Sequence, residues 1–334
     1  MRFSVYQDSH IGGRKNNQDR MGYSFTRESL LLLLADGMGG HIQGEVAATI
    51  AVQTIGALFQ QQATPYVKKP ERFLQESLLA AHREILHHRE RHHLPETPCT
   101  TIVACLIQHN NAFWAHCGDS RLYWMRNAQI LARTQDHSHI ETLIAQGRVA
   151  ACERQTHPER NKLLNCLGAP TAPMVDLSPR VSLQAGDILL LCSDGLWNMV
   201  PDEALIASLA GSTIVRAVPE LIATATAAGG QHGDNVTALA MMWEAGEDGS
   251  TTDSTFASDA ASTTASTTAS TTITTRSLPL GSVTTTIQAS HPSEFGSAEG
   301  ADVFNESDIE NTIEEIRLAI EKSTRITSAP SGRE

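Results

Sequence analysis

The sequence predicts an antiparallel α+β layered domain over residues 1–243, followed by an extension of different character. Three observations carry this. Short β-type segments come in groups before and after two long helical stretches, instead of alternating regularly with helices as in a parallel sheet. Several of these segments are only a few residues apart, and such short connections imply antiparallel pairing. Beyond Trp243 the composition shifts abruptly to Ser, Thr, Ala and Gly.

In chain order, 21–25 and the LLLLLA run 30–35 read as a strand pair, and helical stretches follow at 43–61 and 70–91. Four short strands then crowd together at 101–108, 112–116, 121–126 and 129–133, punctuated by Asn110-Asn111 and Asn127. A further strand region covers 174–193, helices lie near 201–210 and 214–227, and 236–243 closes the domain as a strand. With 41% apolar residues in 334, the chain can bury a substantial core.

The apolar runs 30–35 and 188–192 fall far short of the roughly 20 residues of a membrane span. No span is expected. The opening MRFSVYQDSH has no apolar export signal, which points to a cytoplasmic location. Six cysteines without a C-x-x-C pair read as reduced, mostly buried thiols and not as a disulfide framework or a zinc site. The net charge of −12 argues against nucleic-acid binding. It is unevenly spread: 1–243 carries 20 basic and 22 acidic residues (−2), 244–334 carries 5 and 15 (−10).

The stretch 244–304, with its near-repeat of Ala-Ser-Thr-Thr around 261–272, has too few apolar residues to offset the entropy of ordering and reads as a disordered linker. Beyond it, Ser307 and Glu310 form a capping-box pattern. Ile309, Ile313, Ile316 and Ile320 recur at helical spacing, predicting an amphipathic helix over 305–324 before a disordered tail, 325–334. A lone helix of this kind needs a surface: its own catalytic domain, a second copy, or a partner.

Four aspartates stand where apolar segments stop: Asp36 after LLLLLA, Asp119 in HCGDSR, Asp194 after ILLLCS and Asp234 in HGDN. Clustered carboxylates repel one another unless cations lie between them, so a convergent set without matching Lys or Arg suggests a site for Mg²⁺ or Mn²⁺. The glycine-rich segment after Asp36 lets backbone approach a ligand closely. Arg14, beside Asn17-Gln18-Asp19, offers a guanidinium fork suited to a phosphate dianion. The His87-His88 and His92-His93 run, interleaved with charges, reads as a solvated helix end.

Taken in order, R14-x-x-N-Q-D19, A35-D-G-M-G-G40, G118-D-S-R121, D136-H-S138, H157-P-x-R-N161, S193-D-G-L196 and G233-D-N-V-T237 resemble the successive motifs of the bacterial PP2C-like (PPM) serine/threonine protein phosphatases. The set spans residues 2–243. The resemblance implies a four-layer α-β-β-α sandwich of two antiparallel sheets, with two Mn²⁺ or Mg²⁺ ions in a cleft at one edge and a weaker third. Asp36 would bridge the two metals, the Gly37 carbonyl would bind the second, and Asp194 and Asp234 would hold the first. Asp119 with Asp194 would form the third site. Arg14 would bind phosphate, Gln18 and Asp19 would reach the second metal through water, and Asn235 would support the site.

The stretch from Asp136, His137 and Ser138 to about Arg154 would be the flap beside the cleft. The implied reaction is hydrolysis of phosphoserine and phosphothreonine in proteins by hydroxide held between two cations, opposing a bacterial Ser/Thr kinase. Ser120, Ser138 and Ser193 would then be neighbours and not nucleophiles. Three departures stand out. Gln18 replaces the usual Glu. Met38 lies where eukaryotic relatives carry a histidine acid, leaving that role to metal-bound water or His41. Cys99 takes the place of a usual glycine.

Overall fold

The Leu-rich run lies on one central strand whose two faces look into different cores. In the computed structural model, residues 1–38, 43–154, 157–160, 162–244, 271–275, 278 and 282–288 are described. The chain runs β1 (Arg2–His10), β2 (Asp19–Phe25), β3 (Ser29–Met38), α1 (Gly44–Gln62), α2 (Pro70–Arg91), β4 (Cys99–Thr100), β5 (Ile102–Gln108), β6 (Asn111–Cys117), β7 (Arg121–Arg126) and β8 (Gln129–Arg133). It continues through α3 (His139–Ala145), β9 (Asp176–Leu177), β10 (Val181–Ser182), β11 (Ile188–Cys192), α4 (Asp194–Trp197), α5 (Asp202–Gly211), α6 (Ile214–Gly229), β12 (Val236–Trp243), β13 (Thr271–Thr274) and β14 (Thr284–Gln288).

One sheet has the order β13-β1-β12-β11-β7-β8 and the other β10-β6-β5-β3-β2-β14, with every named strand pairing antiparallel. Because side chains alternate along a strand, Leu31, Leu33 and Ala35 pack against α1 and α2, while Leu30, Leu32 and Leu34 enter the core between the sheets. On the other sheet Leu189 and Leu191 face the inter-sheet core, and Leu190 and Cys192 face α5 and α6. The result is the expected α-β-β-α layering. Each such leucine contributes about 2 kcal/mol by leaving water, which explains why the run is continuous and not alternating.

Elements that go unread in the sequence include β1, whose mixed polar composition hides a strand held on both sides by β12 and β13, the two-residue β4, and the short helices α3 and α4. A further difference is a correction. The expected linker 244–304 contains β13 and β14, which cover the outer edges of β1 and β2 and so bind one strand of each sheet. Low hydrophobicity suggested disorder, but the Thr-rich runs are β-branched and suit exposed edge strands. Ile273 and Leu278 pack on the inter-sheet core and Val283 on the helix-side core. Thr275 is fully buried, its hydroxyl donating to Arg27 O at 2.8 Å and accepting from the Met1 amine at 3.0 Å.

The predicted helix 305–324, the tail 325–334, His41 and Asn161 lie outside the described residues. Among the described residues no helix is long and apolar enough to cross a membrane.

Candidate active site

Antiparallel register brings strand ends from both sheets to one cleft. Asp19 opens β2 and is paired with Asp36 near the end of β3. Asp194 follows β11 and Asp234 precedes β12, two neighbouring strands of the other sheet, and Asp119 lies on the turn by which the chain leaves β6 for β7. Asp36, Asp119, Asp194 and Asp234 line a cleft of about 570 Å³ together with Gly13, Arg14, Gln18, Gly37, Met38 and Leu163. The structure thus gathers all four aspartates singled out from sequence, with Arg14, Gln18 and Gly37 beside them.

The carboxylates are crowded and short of cations. Burial, then the charges of Asp19, Asp194, Asp119 and Asp234, push the Asp36 carboxyl well above its ordinary range. Asp194 is raised likewise by burial and by Asp119, Asp234 and Asp19, with Arg14 opposing. Asp119 is pushed up to about 7 by burial and Asp136, and Asp19 to about 6 by burial. Asp19 Oδ2 accepts from Ser193 Oγ at 2.8 Å, whereas its buried Oδ1 has no hydrogen-bond partner. An orphaned buried carboxylate oxygen among like charges fits a divalent cation, the hard oxygen donors suiting Mg²⁺ or Mn²⁺.

Asp36 is gripped through its backbone. Its N–H donates to Thr101 Oγ1 (3.1 Å), and its carbonyl accepts from Thr100 Oγ1 (2.8 Å) and the Thr101 N–H (2.9 Å). Sequence reasoning missed this use of Thr100 and Thr101, which only the pairing of β3 with β4 reveals. Gly37 is required by close approach: a Cβ there would lie 2.3 Å from Gly44 O, at the start of α1.

Arg14 reaches back to Asp234, Nη2 to Oδ2 at 2.6 Å, at the exposed mouth of the cleft. Asn235 fastens the Arg14 loop: its Nδ2 donates to Ile11 O (2.8 Å) and Asn16 O (3.0 Å), and its Oδ1 accepts from the Gln18 N–H (2.8 Å). The Gln18 amide donates to Glu45 Oε2 at 3.0 Å, which ties the loop to the first turn of α1. Ser120, Ser138 and Ser193 are buried, and each hydroxyl is engaged: Ser120 with Thr101, Ser138 as acceptor from the Glu141 N–H, and Ser193 with Asp19.

Asp136, His137 and Ser138, the three residues expected to begin a flap, are all buried. Asp136 forms a two-armed ion pair with Arg121, Nε to Oδ1 at 2.8 Å and Nη2 to Oδ2 at 2.7 Å. The guanidinium also lies 3.5 Å from the Trp197 ring centroid. Ser138 caps α3. His137 Nδ1 accepts from the Gly118 N–H (3.2 Å) and Asn165 Nδ2 (2.6 Å), so Nε2, 3.2 Å from Asp176 Oδ2, carries the proton. His116 Nε2 is likewise occupied by Gln135 O at 2.8 Å. The His116, His137 and Asp176 group, whose ligand atoms lie within 4.8 Å of one another, uses one nitrogen of each ring in hydrogen bonds, while the buried His137 Nε2 stands 3.2 Å from Asp176 Oδ2 without a hydrogen bond.

With this geometry in view, comparison with known proteins is decisive. The family profile described as protein phosphatase 2C matches residues 6–232. The chain belongs to the protein phosphatase 2C family. The serine/threonine phosphatase stp of Listeria monocytogenes is 32% identical over 243 residues, covering 71% of this chain and 95% of that protein. Among solved structures, the Mycobacterium tuberculosis serine/threonine phosphatase PstP/Ppp aligns with a TM-score of 0.64 at 31% identity, over 73% of this chain and 100% of that one. The PstP catalytic domain in complex with two manganese ions aligns with a TM-score of 0.62 at 30% identity, over 72% of this chain and 98% of that one.

Proposed function

We propose that this protein is a metal-dependent phosphatase of phosphoserine and phosphothreonine in proteins, opposing a Ser/Thr kinase in the cytoplasm. The observation that carries the reading is the convergence of Asp36, Asp119, Asp194 and Asp234 on a single cleft, backed by the orphaned Asp19 oxygen. Asp36, the Gly37 carbonyl, Asp194 and Asp234 would hold two Mn²⁺ or Mg²⁺ ions, and Asp119 with Asp194 a weaker third. When bound, such ions lower the pKa of water and offset charge on a phosphoryl group.

The chain's own residues supply the remainder. Arg14, held at the cleft mouth by Asp234, presents a planar fork to two phosphate oxygens. Asp19 and Gln18 lie behind the ligands, Asp19 fixed by Ser193 and Gln18 by Glu45. Asn235 keeps the Arg14 loop in register with β12. Among the described residues no serine lines the cleft, which favours water as the nucleophile over a phosphoenzyme.

The test is hydrolysis of p-nitrophenyl phosphate and a phosphothreonine peptide by the full chain, with and without Mn²⁺, beside Asp36→Asn. Hydrolysis that requires Mn²⁺ and vanishes in the variant is expected. A folded, Mn²⁺-binding protein without turnover would reject the reading.

A further inference from the structure

The cysteine that departs from the family pattern has a partner. Thr100 and Leu167 exchange both backbone hydrogen bonds, Thr100 N–H to Leu167 O at 3.1 Å and Leu167 N–H to Thr100 O at 2.9 Å. In such an antiparallel pair the residues on either side of the bonded positions share the opposite face. Cys99 and Cys166 are two of these, set diagonally across the ladder. The residue directly facing Cys99 is Gly168, at φ +89° and without a side chain to separate the two thiols. A Cβ on Gly168 would lie 3.2 Å from the Cys99 Cα, a measure of how closely the segments approach. The two side chains are close enough to shift one another's ionisation, in opposite directions.

We propose that Cys99 and Cys166 are an oxidisable dithiol, a modification site at which a hydroperoxide forms an intramolecular disulfide that pins residues 163–168 to the strand gripping Asp36. Both cysteines are partly exposed, whereas Cys105, Cys117 and Cys192 are buried in the sheets. The Cys99 thiol donates to Thr97 O at 3.5 Å; its interaction with Cys166 holds Cys99 below its ordinary value while Cys166 itself is raised, and burial pushes Cys117 up to about 12. The thiolate is the nucleophile, so Cys99 is the attacking member.

The Cys99 thiolate attacks the peroxide O–O bond, giving a sulfenic acid and an alkoxide that takes up the proton Cys99 released. The Cys166 thiol then displaces hydroxide from the sulfenic sulfur, and its proton leaves with that oxygen as water. Two thiols and one hydroperoxide thus become one disulfide, one alcohol and one water. A dithiol reductant reverses the bond.

The cross-link acts on the site because each cysteine, itself outside the cleft, lies on a segment that reaches it. Cys99 is paired with Met38, and the next two residues, Thr100 and Thr101, make the three bonds that hold the Asp36 backbone. Leu163, at the other end, lines the cleft. Drawing the sulfurs together to about 2.05 Å moves both walls, and misplacement by 1 Å costs on the order of 100-fold in rate.

The test uses the full chain carrying Cys152→Ser, which removes the exposed thiol, treated metal-free with hydrogen peroxide and freed of peroxide before assay. Peptide mapping is expected to find a Cys99–Cys166 linked peptide. Mn²⁺-dependent hydrolysis should fall at least about tenfold and return with dithiothreitol. Adding Cys99→Ser or Cys166→Ser should leave basal activity in place and abolish the peroxide effect. Peroxide treatment that leaves both thiols open to alkylation, or links a different pair, overturns the site, and mass mapping reads this whatever the enzyme hydrolyses. A complete Cys99–Cys166 disulfide with unchanged activity overturns its coupling to the cleft.

Discussion

Asp136 lies just past β8 and Asp36 near the end of β3, both carboxylates withdrawn from water, yet they are held in opposite ways. Asp136 is clasped on both oxygens by Arg121, with side chains 3% and 4% exposed, and the cation is covered by Trp197. Asp36 has four other aspartates as its charged neighbours and no guanidinium of its own. One carboxylate belongs to the scaffold. The other is kept at a cost in stability so that something outside the chain can complete it. The difference teaches that the partner, and not the aspartate or its strand-end position, separates structure from function.

Removing each carboxylate's context should therefore have opposite consequences. Asp36→Asn is expected to lower kcat/KM by at least about 1000-fold, roughly 4 kcal/mol of lost transition-state stabilisation. In the metal-free protein the same change should raise Tm by a few degrees, because a repelling carboxyl has gone; a drop in metal-free Tm would refute the contrast. Arg121→Ala should do the reverse and strand Asp136, at a cost of about 3–5 kcal/mol, which at about 2–4 °C per kcal/mol is a fall in Tm of roughly 6–20 °C. Thermal melts of the single variant and of Arg121→Met with Asp136→Leu measure this; the double variant should regain most of the loss.

A third test uses pH. In the metal-free protein Asp19 and Asp119 titrate near 6 and 7, above the unfolded carboxyl value of about 4. The folded state thus retains protons that the unfolded chain has released, and stability falls as pH rises from about 4 to about 7. Cations that take the place of those protons should raise Tm more at pH 7.5 than at pH 5, by about 5 °C or more at saturating Mn²⁺. Equal gains at the two pH values would break the assignment of these carboxyls to the metal site. The smallest effect is expected of Gln18→Glu, which sets a carboxylate against Glu45 in place of the amide now 3.0 Å away. It should cost about 0.5–1.5 kcal/mol without metal, as the loss of a hydrogen bond does, and Mn²⁺ should recover it.

Much of this site is legible in the sequence because its aspartates end recognisable apolar strands and fall in an ordered set of motifs. The two central helices are legible for a related reason, since their periodicity is local. What stays hidden depends on partners far along the chain. Asp136 looks like any other acidic residue until Arg121 is folded beside it, and Thr100 and Thr101 show their function only once β4 lies along β3. β13 and β14 are unreadable for the same reason: an edge strand of threonines owes its order to the neighbour it covers, here β1 and β2. Cys99 was visible as a departure, but Cys166 became its partner only through the Thr100–Leu167 bridge.

The place of β3, between β2 and β5 and covered by cores on both faces, also sets a timescale. Amides of such a strand exchange with solvent only when the whole domain opens. Asp36 is carried on a strand enclosed on both faces, whereas Arg14 rides a surface loop fastened chiefly by Asn235. Over the lifetime of one folded molecule the carboxylate corner is effectively permanent, and the arginine can let go and return many times.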